Sequence, residues 1–218
     1  VVPEDRLIVL PELFSFEQGA MVEPTAVGAH ATNRTSKIEG KNVVVSGAGT
    51  IGNLVAQFAK VRGAKKVLIT DVSNYRLEIA KECGIDGVLN VAETSFGQGV
   101  KDFFGDEGFQ VGMEAAGVQP SLDVLIENVE KGGDVVIIGV FSENPEVNMY
   151  YLGEHELNVL GSMMYKHEDY EEAVDKIAKG QIRLEPLMSK HFDFKNFIDA
   201  YHYIDKQGEK SMKVFIDF

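Results

Sequence analysis

A single cysteine, Cys83, stands among 218 residues. One thiol can close no internal disulfide and build no cysteine metal cluster, a usage that suits a reducing, cytoplasmic setting. No apolar run approaches the roughly twenty residues that span a bilayer, and the LIVL run beginning at Leu7 is too short for a secretion-signal core. The expectation is a soluble, untargeted chain. Positive charge is scarce as well, with 21 Lys and Arg against 34 Asp and Glu and a formal charge of −13. The lysines are scattered, so the basic stripe that tracks a phosphate backbone is missing and nucleic acid is not an expected partner. Internal repeats and low-complexity segments are also missing. The chain begins at Val1 rather than methionine, in what reads as the middle of a domain, and a fragment is expected.

What is present reads as globular: 44% hydrophobic and 25% charged residues, in a chain long enough for one large domain or a domain with an appendage. The most informative stretch is KNVVVSGAGTIG, Lys41 to Gly52. An apolar, β-branched strand flows into a G-x-G-x-x-G loop and then into an amphipathic helix, the context dinucleotide binding requires. Gly47 allows the tight turn, Gly49 lets the backbone approach a pyrophosphate, and Gly52 permits close helix packing. The following helix aims its free N–H groups and positive dipole end at the phosphates. A second strand ends in Asp71, nineteen residues beyond Gly52, where an acid receives the adenosine ribose hydroxyls. Val72, Ser73 and Asn74 follow, with no Arg or Lys to meet a 2′-phosphate, so NAD is expected rather than NADP. Arg76 either hydrogen-bonds the ribose from the side or is a solvated helix-start arginine.

The hydrophobic pattern predicts strands at 42–46, 66–70, 87–90, 109–113, 134–138 and 157–162, with helices at 52–62, 74–83 and 120–131 between them. A helical or loop stretch runs to about 105. Such alternation predicts an α/β fold, a doubly wound parallel sheet of about six strands. Residues up to about 19 read as extended, followed by a helix entered at Pro24. The tail reads as a helix at 167–179, an extended stretch to Phe192, a helix at 194–206 and a final strand, MKVFIDF. Its core is too small to stand alone.

In their order along the chain, LPELFSFEQGAMVEPTAVGAHA, the glycine loop, ITDVSNYRLEIAKECGID, VGMEAAG, GGDVVIIGVF, ELNVLGSMMY and KSMKVFIDF resemble the medium-chain, zinc-type alcohol and polyol dehydrogenases, the family of sorbitol, butanediol and threonine dehydrogenases. The resemblance covers essentially the whole chain. It implies a truncated GroES-like catalytic domain ending at 1–22, a Rossmann NAD-binding domain at 23–163, and a segment at 164–218 returning to the catalytic domain. The Cys and His-Glu zinc ligands would lie upstream of this chain. Glu23, before Pro24, is the surviving catalytic and metal candidate, bringing a carboxylate to the zinc or its water; one ligand cannot hold the ion. From the residues alone Glu23 reads first as a helix-start acid, and only the resemblance makes it the active-site candidate.

The resemblance also implies that Thr50 and Ile51 of the glycine loop belong to the cofactor site, with Ile51 beneath the nicotinamide. Ala116, Gly139, Val140 and Ser162 to Met164 would line its path, and Lys213 would meet the pyrophosphate. Many polyol dehydrogenases have Arg-Tyr where this chain has Met164-Tyr165, so a less polar diol, a secondary alcohol or an amino alcohol is as open as sorbitol. The expected function is the cofactor portion of a zinc-dependent NAD alcohol or polyol dehydrogenase, inactive by itself. The alternatives are a zinc-free reductase of the quinone oxidoreductase kind and a non-catalytic NAD-binding module. Strand 157–162 is a candidate homodimer edge or an interior strand. His30 shares a helix face with Glu23 and reads as packed or surface, or as part of a proton path. His155, His167, His191 and His202 read as solvent-facing, and Cys83 as a small core residue.

Overall fold

Short β-branched runs alternate with helix-forming stretches, and a computed structural model describes the result for every residue from Val1 to Phe218. After an extended opening comes α1 (Phe16–Thr32). There follow β1 (Asn42–Ser46), α2 (Thr50–Val61), β2 (Lys66–Asp71), α3 (Asn74–Glu82), β3 (Gly87–Asn90), α4 (Phe96–Phe104), β4 (Val111–Glu114), α5 (Gln119–Asn128) and β5 (Asp134–Ile137). A short α6 (Met149–Glu154) leads to β6 (Asn158–Gly161), α7 (His167–Ala178), β7 (Met188–Asp193), α8 (Phe197–Gln207) and β8 (Lys213–Asp217).

The first six strands form one sheet in the order β3-β2-β1-β4-β5-β6, with every neighbour parallel. The winding reverses between β1 and β4, which makes the Rossmann arrangement and opens a crevice beyond the carboxyl ends of those two strands. All five residues of β1 are buried because helices cover both faces. On one face Val43, Val45, Val67 and Ile69 pack with Val55, Ala59, Leu77 and Ala80. On the other, Val44, Leu68 and Val135 pack with Phe96, Val100, Leu122 and Leu125. A third cluster joins Met21, Val22 and Ala26 of α1 to Leu54 and Phe58 of α2, and holds Ala173, Ile177, Leu184, Leu187 and Phe215 of the C-terminal segment. β7 and β8 make a separate two-stranded parallel sheet.

Several element boundaries differ from the sequence expectation. The first helix starts at Phe16 rather than Pro24, because Ser15 and Gln18 form a reciprocal capping box that satisfies the early donors. Pro24 lies inside α1, buried, and the expected division between residues 22 and 23 falls in mid-helix. β4 runs to Glu114 rather than ending at 113, and α5 ends at Asn128 rather than near 131. Residues in a strand buried on both faces carry no alternation to fix its frame. The six-residue α6 was not expected, being too short to show a helical period.

Candidate functional site

At the switch point, β1 delivers the chain into the glycine loop. Gly47 adopts φ +103°, and a Cβ there would lie 2.9 Å from the backbone of Ala115 and Ala116. A Cβ on Gly52 would run into the carbonyl oxygen of Gly47, so the third glycine lets α2 turn back over its own loop. Gly49 is different, since a Cβ there would meet nothing within 4 Å. It faces open space at the N-cap of α2, where Thr50 and Ile51 form the first turn with free N–H groups. No side chain caps that end. Asn53 donates instead to the Ala48 and Gly49 carbonyls, bracing the loop from below.

Asp71 ends β2 beside this loop, its side chain 7% exposed. Its Oδ2 accepts the Ala48 N–H at 2.7 Å, and its Oδ1 accepts the Ser73 N–H at 2.9 Å. Arg76, in the first turn of α3, brings Nη1 to 3.9 Å from Asp71 Oδ2, while its buried Nε has no partner. Gly47, Gly49, Asp71, Arg76 and Ala116 together line a cleft of about 540 Å³. Val91, Phe96, Val118, Pro120 and Val124 supply its apolar wall. Sequence reasoning missed that wall, because its residues come from three separate segments and only the sheet order brings them together.

The remaining residues singled out from the sequence are dispersed. Ile51 is half-buried against the core under the sheet. Gly139 and Val140 follow β5 on the far side of the cleft from Asp71, with Val140 81% exposed. Met164 follows β6 with φ 55°, a left-handed conformation uncommon for a side-chain-bearing residue, and is exposed. Lys213 is half-buried on β8 and is not among the residues lining the cleft.

Glu23 lies seven residues in from the start of α1, so the helix-start reading fails. It lines a second hollow of about 390 Å³ with Arg6, Leu10, Val22, Tyr165 and Tyr170. The Tyr170 phenol, burial and the Glu23 carboxylate together raise the Tyr165 phenol above the ordinary tyrosine range. Nowhere do three or more His, Cys, Asp or Glu side chains converge as a metal set. Catalytic zinc takes about three protein ligands, so Glu23 and its surroundings do not fit a zinc centre by themselves.

His30 does not turn toward Glu23's hollow. Its Nδ1 lies 2.8 Å from the buried Asp169, which also accepts the Lys166 N–H and so joins α1 to the start of α7. His167, His191 and His202 are exposed as expected, whereas His155 is half-buried against Tyr151 with Nδ1 shielded and unpaired. Burial pushes the Cys83 thiol up to about 12, so it is a neutral core group. β6 is the edge of the large sheet, and Arg34 Nε donates to its Gly161 carbonyl at 2.9 Å. No helix is long and apolar enough to cross a membrane.

Among known proteins, sorbitol dehydrogenase 1 of Saccharomyces cerevisiae is 31% identical over 220 residues, covering 98% of this chain and 62% of that protein. A solved alcohol dehydrogenase from Escherichia coli CFT073, complexed with NADH, superposes with a TM-score of 0.91 at 28% identity, over 100% of this chain and 64% of that one. A zinc-binding dehydrogenase from Sinorhizobium meliloti 1021 bound to NADP gives 0.89 at 25% identity, over 99% of this chain and 64% of that one. The chain thus spans about three fifths of the length of such relatives. The model of the zinc-binding dehydrogenase family matches residues 50–179, the greater part of the chain and the whole of its nucleotide-binding-type sheet beyond β1, and this chain belongs to that family.

Proposed function

We propose that this chain binds NAD as the cofactor portion of a zinc-dependent alcohol or polyol dehydrogenase. The observation that carries the reading is the contrast within one loop: Gly47 and Gly52 have no room for a side chain, while Gly49 opens onto the cleft beside the Asp71 carboxylate. In this reading the pyrophosphate sits on the free N–H groups of Thr50 and Ile51 at the start of α2. The adenosine ribose hydroxyls donate to Asp71, with Arg76 beside them. The nicotinamide half crosses β1 toward Ala116, Gly139, Val140 and Met164, with Ile51 beneath, and Lys213 approaches the pyrophosphate. With Met164 before Tyr165 in place of Arg-Tyr, a less polar diol, a secondary alcohol or an amino alcohol is as open as a hexitol.

A 2′-phosphate would meet Asp71 with only Arg76 to offset it, so NAD is preferred to NADP. One structural relative binds NADH and another NADP, so both nucleotides occur on this fold. Residues 1–22 and 164–218 belong, in this reading, with a catalytic domain that supplies the remaining zinc ligands. No chemical step is assigned to this chain alone, and little or no alcohol turnover is expected from it. A homodimer through β6 would have to displace Arg34 from Gly161 or build around it.

Calorimetric titration of the purified chain with NAD and NADP tests this directly. The expected result is saturable NAD binding with weaker NADP binding. Tighter NADP binding would overturn the role given to Asp71, and no binding of either would overturn the whole proposal.

A further inference from the structure

In the sequence no cation directly follows Asp71, since the next residues are Val72, Ser73, Asn74 and Tyr75. The fold brings two from the far end of the chain. Val72, 58% exposed, lines the nucleotide cleft on one side and a hollow of about 420 Å³ on the other, so the two cavities share a rim one residue beyond Asp71. Ser73, Asn74 and Tyr75 form the near wall of that hollow. Its far wall is Asp205 to Lys210, the end of α8 and the turn after it, which packs against α3. Gly208 reverses the chain there with φ +52°, and Lys206 before it and Lys210 after it line the same hollow.

The polar groups of the near wall are already spent. Ser73 donates its N–H to Asp71 Oδ1, and its hydroxyl oxygen accepts the Arg76 N–H at 3.4 Å. The Asn74 carboxamide donates to Glu93 Oε1 and accepts from Asn90 Nδ2, both at 2.8 Å. The lysines of the far wall are not spent: Lys60 and Lys65 each hold a carboxylate, whereas Lys206 and Lys210 are in no ion pair. Asp205 and Glu209 balance them in charge, so the hollow has little attraction for a free anion. An anion tethered in the adjoining cleft differs, because the tether supplies its effective concentration, and lysine carries its charge on a long, flexible stem that can reach toward it.

We propose that Lys206 and Lys210 are specificity-determining residues for the nucleotide. When NADP occupies the cleft they receive its 2′-phosphate across Val72 and offset the repulsion of Asp71, so NAD is preferred by a limited margin rather than exclusively. The assignment rests on the adenosine ribose meeting Asp71, as proposed above.

Calorimetric titration of the full chain with NAD and with NADP tests it. The wild type should bind both, NAD the more tightly. Lys206→Ala and Lys210→Ala should each weaken NADP about threefold, and together about tenfold, with NAD held within about 1.5-fold. Glu209→Gln removes a carboxylate that competes for the lysines and should tighten NADP about twofold without altering NAD. The gap in NADP affinity between wild type and the double variant should narrow at high salt, which screens exposed charges. A folded double variant that keeps the wild-type ratio of the two affinities, whether both are unchanged or both weaken alike, overturns the inference. So does a wild type that binds NAD and not NADP, a result that leaves the nucleotide reading standing. A wild type that binds neither overturns the nucleotide reading, and this inference with it.

Discussion

The two sheets of this chain are both parallel, yet they are built on opposite terms. Every residue of β1 and of β4 is buried, whereas β7 has no buried residue and β8 only Phe215. Parallel strands are normally covered on both faces. The six-stranded sheet meets that condition from within, with α2 and α3 on one face and α4 and α5 on the other. The two-stranded sheet does not, and beside it Phe194, Phe197, Ile198, Tyr201, Ile204 and Phe218 are exposed. The proposed nucleotide site draws almost wholly on the self-sufficient sheet. Met164 and Lys213, its outlying members, come from the segment that depends on others for cover.

The junction between the two parts should be the most sensitive point. Phe58 is fully buried where α1, α2 and the C-terminal segment meet. Phe58→Ala should cost about 3–5 kcal/mol, read as a lowered denaturation midpoint, and should loosen the C-terminal segment together with α1. A loss confined to the tail would mean that the two parts are energetically separate. Within the large sheet, Asp71→Ala removes the acceptor of the Ala48 and Ser73 N–H groups as well as the proposed ribose contact. NAD affinity should fall by about 1.5–3 kcal/mol, while NADP affinity should fall less, so calorimetry should show the two converging.

On the small sheet the same kind of change should do little. Tyr201 is 62% exposed on α8, and Tyr201→Ser should leave stability within about 0.5 kcal/mol and NAD affinity unaltered. A large loss would show that this face is already doing structural duty in the isolated chain. The smallest effect is expected at Arg34, whose Nε occupies an outward-facing carbonyl of the edge strand. Arg34→Ala should leave stability almost unchanged but raise the fraction of dimer or larger species in analytical ultracentrifugation. An unchanged distribution would show that β6 needs no such cover.

The same contrast explains what could be read in advance. β1, the glycine loop and Asp71 were legible because strand pattern, glycine spacing and helix onset are local and mutually consistent. The start of α1 was not, since Pro24 outweighed the Ser15 and Gln18 capping signal at the level of sequence. Buried Glu114 was also hidden: nothing local marks an acid as a core residue until its partners at Ala116, Gly117 and Ser121 are brought around it. The apolar wall from Phe96, Val118 and Val124 depends on which helices flank which strands, which only the sheet order decides. His155 was misread because one turn of a six-residue helix gives no face to assign it to.

The account stands on the cleft at the switch point, and a crystal structure of the chain grown with NAD tests it most directly. The prediction is a pyrophosphate against the N–H groups of Thr50 and Ile51, with the adenosine ribose on Asp71. Nucleotide bound elsewhere, or with its ribose remote from Asp71, would contradict it.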